Sequence, residues 1–373
     1  MSGCWVAADS KYDDDVVKAQ NSALRKTLAR LAPGTQLRTG LERILRGRTG
    51  GLIVLGFDKS IEAVCSGGFD IDAEFTPTKL RELAKMDGAI VCDRDATRIL
   101  KAGVQLMPEA HIETQESGTR HRSAERTAKQ TNVPVVSVSQ SMSVITIYVG
   151  DHRYAIEGSQ AIMARANQAL QTLEHYSNRL EQVLGSLSAL EIEAAVTARD
   201  VALTLQRMEM VRRISDEISW YVLELGEDGR LISLQLEELT AGNGPGPGVV
   251  LRDYLPEETP ADVLSEALEQ LAELSPADLI DLQKVAVAAA LITPQGNLEA
   301  DLHPHGYRLL EGIKSMPRVV AKRLVGQFDG LQALMAANLE DLMSVEGIGE
   351  QRARNVRESL SRMAETSLLE RFM

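Results

Sequence analysis

The stretch TPTKLRELAKMDGAIVC, residues 76–92, holds a helix, a turn and a strand in quick succession. Thr76 is a good N-cap, and Pro77 suits the first helical position, where no N–H is needed. The helix runs through Lys85 and gives way at Asp87-Gly88 to the apolar strand Ala89–Cys92. Upstream, Leu52–Leu55 is a short apolar run bounded by Gly50-Gly51 and Gly56, the pattern of a buried strand, and Gly67-Gly68 marks a turn. Downstream, Gly118–Ser123 leads into a helix through Ala128. Val133–Ser139 and Val144–Val149 are β-branched runs joined through Gln140-Ser141. Residues 1–150 therefore read as a mixed α/β domain.

The remainder has a different texture. Residues 158–225 read as helix, with Leu173, Tyr176, Leu180, Val183, Leu187 and Leu190 forming an apolar stripe. No Gly or Pro falls between Ser186 and Leu225. If unbroken, that stretch would reach about 60 Å. It serves either as the core of a bundle or as a spine between two functional ends. The GNGPGPG segment, residues 242–248, breaks the helices, and Thr259-Pro260 and Ser275-Pro276 open two more. The expected division is 1–150, α/β; 151–308, an all-α middle spine; and 309–373, an all-α domain with Gly-punctuated turns.

Charge sharpens this division. The chain of 373 residues has 40 basic and 53 acidic residues, net −13. Residues 1–150 carry 20 basic against 18 acidic, 151–310 carry 11 against 26, and 311–373 carry 9 against 9. The acidic excess sits in the middle, so either end suits a polyanionic partner. Cys4, Cys65 and Cys92 form no CxxC pair, which disfavours a disulfide scaffold or a cysteine zinc site and fits reduced thiols. The start lacks the pattern of a secretory signal, and the longest apolar run, Val285–Ile292, is too short to span a bilayer. A cytoplasmic protein without membrane contact is expected.

Two regions carry chemistry. Near the C-terminus, Val345-Glu-Gly347-Ile348-Gly349-Glu-Gln-Arg352-Ala-Arg354 reads as helix, tight turn, helix. The glycines leave N–H groups uncovered at a helix N-terminus, which suits a phosphate oxygen, with Arg352 and Arg354 beside it and Ile348 plugging the turn. A bare Gly-x-Gly is most often an ordinary turn, but Leu310–Leu324 looks like a first, degenerate copy. In the α/β domain, Gly118-Thr119-Arg120-His121-Arg122-Ser123 gathers hydroxyls, guanidiniums and an imidazole at a helix start. Such a run alone is usually a solvated face, and Asp87-Gly88 alone is usually a turn. Asp87 is also a carboxylate able to hold a divalent ion on a phosphate. P-loop and Rossmann fingerprints are absent.

Together, Asp87-Gly88-Ala89 and the Gly118–Ser123 motif closely resemble the diadenylate cyclase (DAC) domain. With the helical middle and the tandem hairpins, the chain resembles the DNA-integrity-scanning family of diadenylate cyclases along its whole length. The resemblance implies condensation of two ATP into cyclic di-AMP and two pyrophosphates with Mg²⁺ or Mn²⁺, in DNA-damage and repair signalling. It makes Asp87 the catalytic and metal-holding acid. It places Gly88, Ala89 and Leu106 around the adenosine, and Thr119, Arg120, His121, Arg122 and Ser123 on the triphosphate. Ser139 matches a family serine that an acid often follows; here Gln140 follows it. Gly347, Ile348, Gly349, Arg352 and Arg354 are the implied DNA contacts, and the first hairpin lacks Gly-Ile-Gly. The resemblance further implies an octamer with DAC faces paired, branched DNA as a sequence-independent ligand, nucleoid association and a RecA-like recombination ATPase as partner.

The near-twofold symmetry of the product asks for two sites meeting face to face. The rival reading is a DNA-binding scaffold that senses ATP without turnover. A nuclease or polymerase is weaker, because no compact cluster of acids accompanies the hairpins.

Overall fold

The computed structural model describes residues 22–242, 244–313 and 316–370. Cys4, Asn243 of the glycine-rich break and the Lys314-Ser315 pair of the first hairpin lie outside the described residues. The chain divides into two compact units. One runs up to Gln168 and takes in Ile218–Leu234; the other combines Ala169–Glu217 with the chain from Gln235 onward.

The first unit is built on one mixed sheet. Its strands are β1 (Gly51–Leu55), β2 (Cys65–Ser66), β3 (Phe69–Glu74), β4 (Ala89–Cys92), β5 (Arg98–Leu106), β6 (Val135–Val138), β7 (Ile145–Val149) and β8 (His152–Ile156). The order is β2-β5-β4-β1-β6-β7-β8, with β3 also on β5, and β1–β4 is the one parallel pair among the described strands. The helices are residues 22–31 (α1), α2 (Gln36–Arg46), α3 (Lys59–Val64), α4 (Pro77–Leu83) and α5 (Thr119–Thr131).

Alternation sorts the strand side chains into two cores. Ile53, Leu55, Ile90, Cys92, Val136 and Ile147 pack with Leu28, Leu41, Ile44 and Leu80 from α1, α2 and α4. Leu52, Val54, Ala89, Val91, Val135 and Tyr148 pack on the other face with Ile61 and Val64 of α3 and Ala124 and Ala128 of α5. With both faces covered, β1, β4, β6 and β7 are buried at every position. These are the strands visible as apolar runs. Thr76 Oγ1 accepts from Lys79 N and caps α4, as its sequence indicates. β3 and β5 lack such a run. They pair through Asp70–Lys101 and Asp72–Arg98 ion pairs, with bulges in register.

The second unit is helical. The stretch from Ser186 to Leu225 is not one helix. α6 (Ser159–Glu193) ends, Ala194 turns left-handed, and α7 (Ala198–Leu225) begins. Asp200 accepts from Thr197 N at 2.9 Å and from Thr197 Oγ1 at 2.6 Å, so Thr197-x-x-Asp200 starts a new helix without Gly or Pro. Leu173, Leu180, Val183 and Leu187 of the apolar stripe are buried, so the stripe is a packing face. α8 (Arg230–Ala241), α9 (Pro247–Tyr254), α10 (Ala261–Glu273) and α11 (Leu282–Ala288) follow. Thr259-Pro260 leads into α10 as expected. Ser275-Pro276 instead opens a 3₁₀ turn at Asp278–Ile280, and α11 starts only after Asp281, whose side chain accepts from Gln283 N.

The C-terminal helices α12 (Tyr307–Glu311), α13 (Arg318–Gln327), α14 (Gly330–Ala336), α15 (Leu339–Met343) and α16 (Glu350–Glu370) share one core. A buried polar network joins them to α6 and α9. Arg308 Nε donates to Glu191 Oε1 at 2.9 Å, Arg308 Nη2 also bonds Glu191, and Tyr254 Oη donates to Glu191 at 2.5 Å. Asp253 accepts from the N–H groups of Gly306, Tyr307 and Arg308 at the start of α12.

Candidate active site and nucleic-acid interface

The nucleotide motif is assembled where the segment before β1 and the β6–β7 turn meet the start of α5. Gly118, the residue before α5, is extended and no side chain caps the helix. The first-turn N–H groups are therefore open to an anion. A cleft of about 520 Å³ lies there, lined by Arg48, Gly118, Thr119, Arg120, His121, Val138, Ser139, Gln140 and Ser141. Ser139 Oγ accepts from Met142 N at 3.2 Å, which shapes the β6–β7 turn against the cleft. Arg120 sits directly over Gly50: a Cβ there would lie 2.0 Å from Nη1. The glycine before β1 makes room for the guanidinium. Motif reading passed over Arg48, which lines the cleft, and Gly50, which lies against Arg120; the Arg48-Thr-Gly-Gly51 run before a strand was their signal.

Asp87, just before the neighbouring strand β4, stands beside Arg120 and does not itself line the cleft. Its carboxylate is fully exposed, with Oδ1 3.9 Å from Arg120 Nη2. Gly88 has φ +101°, and a Cβ there would lie 2.7 Å from the Gly103 carbonyl carbon and 2.8 Å from Val104 O. Only glycine lets the chain turn there against β5 and present Asp87 outward. Ala89 is buried opposite Val104 of β5, and Leu106 is buried in the same apolar cluster at the far end of that strand. Neither lines the cleft.

Two motif residues lie elsewhere. Arg122 is exposed and lines a second cleft with Glu116, Arg126 and Lys129. Ser123 is half-buried one position further along α5 and lines neither cleft. His121 is buried, its Nδ1 2.8 Å from Tyr148 Oη. Burial disfavours its imidazolium and lowers its pKa from the ordinary 6.5, which the nearby Glu116 carboxylate only partly opposes. Burial pushes the Glu116 carboxyl up, but hydrogen bonds from Tyr148 and Arg153 outweigh it, and its pKa falls below 4.5.

At the other end of the chain, Gly347 has φ +93°, and Ile348 is buried in the C-terminal core. Gly349 is open: a Cβ there would meet no atom within 4 Å, and α16 follows at once. Arg352 Nη1 donates to Gly347 O, closing the turn, and Arg354 pairs with Glu350 at 2.5 Å. Gly349, Arg352 and Arg354 line a groove of about 880 Å³ with Met316. The degenerate copy has the same skeleton. Ile313 N donates to Leu310 O as Ile348 N does to Val345 O, and Ala321 and Leu324 of α13 enter the core as Ala353 and Val356 of α16 do. Arg323 of α13 donates to Glu346 O beside the second turn.

An α/β domain with this glycine-flanked acid and uncapped helix, followed by a helical region and paired hairpins, defines a nucleotide-binding protein of the diadenylate cyclase class with a helix-hairpin-helix module. Three family models match in series: the DisA bacterial checkpoint controller nucleotide-binding region over residues 38–153, its linker region over 156–295, and the helix-hairpin-helix motif over 308–369. The chain is 58% identical over 356 residues to the DNA integrity scanning protein DisA of Kineococcus radiotolerans, covering 95% of this chain and 99% of that one. It is 56% identical to the protein of that name from Frankia alni, covering 94% and 97%, and 54% identical to that of Streptomyces coelicolor, covering 94% of each. The chain belongs to the DisA family of DNA integrity scanning proteins. No helix among the described residues is long and apolar enough to cross a membrane.

Proposed function

We propose that this chain condenses two ATP molecules into cyclic di-AMP, releasing two pyrophosphates, and that DNA held by the hairpins regulates the reaction. The observation that carries it is the convergence on one cleft of Arg48, Thr119, Arg120 and the open start of α5, with the Asp87 carboxylate 3.9 Å from Arg120. Open N–H donors and guanidiniums would take the triphosphate, with the exposed acid beside it.

Asp87 would hold Mg²⁺ or Mn²⁺. No group of three or more His, Cys, Asp or Glu is placed for metal binding among the described residues. The fit is therefore that of one protein carboxylate completed by substrate phosphates and water, a common arrangement for Mg²⁺. Gln140 lines the cleft as a neutral side chain. The bound ion would supply charge stabilisation at the α-phosphate. Asp87 would also accept the proton of an attacking 3′-hydroxyl.

Each 3′-oxygen must attack the α-phosphorus of the other ATP. One cleft holds one nucleotide, so two copies must face each other. An octamer supplies such pairs. DNA would lie on the hairpin groove, where Gly349 leaves the start of α16 open and Arg352 and Arg354 add charge. Such contacts read phosphates, so branched and linear DNA of any sequence would bind, and the protein would collect on the nucleoid. Inhibition of synthesis by branched DNA and contact with a RecA-like ATPase complete the reading.

The test is incubation of the full-length protein with ATP and Mn²⁺, with products resolved by chromatography and mass. Cyclic di-AMP and pyrophosphate in a 1:2 ratio are expected. ATP bound but unconsumed with either metal would instead identify an ATP-sensing scaffold.

A further inference from the structure

His121 stands between two arginines in the motif, which suggests a third cation on the triphosphate. The protons around it give a different role. Tyr148 Oη donates its hydrogen to Glu116 Oε1 at 2.8 Å. Glu116 stays an acceptor because Arg153 Nε donates to the same oxygen at 2.5 Å. A phenol has one proton, so toward His121 Nδ1, 2.8 Å away, the Tyr148 oxygen can only accept. Nδ1 must therefore carry the ring N–H. The hydrogen bonds run one way, from His121 through Tyr148 to Glu116.

That assignment leaves Nε2 with a lone pair. Nε2 is buried and has no hydrogen-bond partner among the described residues. His121 as a whole is 7% exposed, yet it lines the cleft with Thr119, Arg120 and Ser139. Gly118 lies over this edge of the ring; a Cβ there would sit 3.5 Å from Cδ2, the carbon bonded to Nε2. A buried acceptor without a donor is costly unless a ligand supplies one. Phosphate oxygens are acceptors and do not satisfy it. The position in the first turn of α5, with Arg120 and Arg153 nearby, also opposes a positive ring.

We propose that Glu116 and Tyr148 are positioning residues that hold His121 as the neutral Nδ1–H tautomer, so that Nε2 accepts a hydrogen bond from a donor on the bound nucleotide, a ribose hydroxyl or the adenine amine. Phosphate binding then falls to Arg48, Arg120 and the helix start. The proposal rests on a nucleotide occupying this cleft.

Full-length protein with ¹⁵N-labelled histidine gives the first readout. The chain has six histidines, and His121→Gln identifies the relevant signals. Two-bond ¹H–¹⁵N spectra at pH 7.5 should show His121 protonated on Nδ1 alone. In Glu116→Ala the phenol loses its acceptor, so its proton turns to Nδ1 and the ring proton moves to Nε2. Tyr148→Phe should give mixed tautomers. An imidazolium, or an Nε2–H tautomer in the unaltered protein, would overturn the proposal.

The second readout is affinity for a non-hydrolysable ATP analogue, compared with versions lacking the 2′-hydroxyl, the 3′-hydroxyl or the 6-amino group. One of the three omissions should weaken binding to the unaltered protein about 3–10-fold, the size of one neutral hydrogen bond, and have no effect in His121→Gln. Equal losses in both proteins, or no binding of the analogue at all, would sink it. Binding and the expected tautomer without cyclic di-AMP synthesis would remove the cyclase reading and leave this one standing.

Discussion

Asp87 is exposed and makes no packing contact that its removal would disturb, so its substitution separates chemistry from folding. Asp87→Asn should lower cyclic di-AMP formation at least about 100-fold, the loss expected when a group acting in the transition state goes, while ATP affinity changes little. Initial rates and equilibrium binding on the same preparation check this; turnover near normal would remove Asp87 from the mechanism. Arg120 differs because it lies over Gly50 and lines the cleft. Arg120→Ala should weaken ATP binding by about 1.5–3 kcal/mol, the value of a charge-assisted hydrogen bond, and Arg122→Ala by much less, since Arg122 lines the other cleft. Titration calorimetry distinguishes the two. His121 gives a pH signature. Its folded pKa is below the ordinary 6.5, so the folded state binds fewer protons than the unfolded chain. Its contribution to stability is present above about pH 6.5 and is lost as pH falls through the lowered value. Thermal unfolding of the unaltered protein minus His121→Gln, followed from pH 7.5 to 5, should show that loss, and a flat difference would contradict it.

In the Gly347-Ile348-Gly349 turn, glycine does different work at neighbouring positions. At 347 the backbone needs φ +93°, and a side chain would meet Arg323 at 3.3 Å. At 349 the space is open. Gly347→Val should therefore destabilise the C-terminal core by about 1–3 kcal/mol, the cost of a branched residue held in the left-handed region. Gly349→Val should fold normally and lose DNA binding, because its side chain covers the start of α16 that a phosphate would approach. Unfolding curves and salt-dependent gel shifts separate the two. If Gly349→Val retains DNA, the phosphate contact lies elsewhere. The Thr197-x-x-Asp200 junction teaches a related lesson. The absence of Gly and Pro from Ser186 to Leu225 suggested continuity, but Ala194 turns left-handed and the Asp200 carboxylate takes the Thr197 N–H, which together end one helix and start another without either residue.

Taken over the full chain, the hairpins are not an appendage of their unit. α12 is held by Asp253 from α9 and by Arg308 on Glu191 of α6, and Gln332 of α14 donates to the Glu191 carbonyl. Removing residues 311–373 would cut through this compact unit, so point variants are the cleaner test of DNA binding. Glu191→Ala leaves the buried Arg308 guanidinium uncompensated and should cost about 3–5 kcal/mol in that unit. Urea unfolding would read it, with hydrogen exchange showing loss of protection in α12–α16. An unchanged midpoint would mean that the network contributes nothing to stability.

Reading along the chain suffices for the apolar strands β1, β4, β6 and β7, because double-sided burial leaves an unbroken apolar run that needs no knowledge of the partner strand. It suffices for the Thr76-Pro77 helix start and the Gly347-Ile348-Gly349 turn, because caps and left-handed turns act within a few residues. It also carries both motifs, and through them the family. The rest follows from distant contacts. β3 and β5 pair through remote charges across a bulged ladder, which no local run records. Arg120 and Arg122, two residues apart, point into different clefts because successive helical positions diverge around the axis. Arg48 and Gly50 joined the site only when β1 came alongside α5. The role of His121 depends on Tyr148 and Glu116, brought to it from other parts of the chain. A proton's place on a ring is fixed by what the fold sets beside it, and a motif names only the ring.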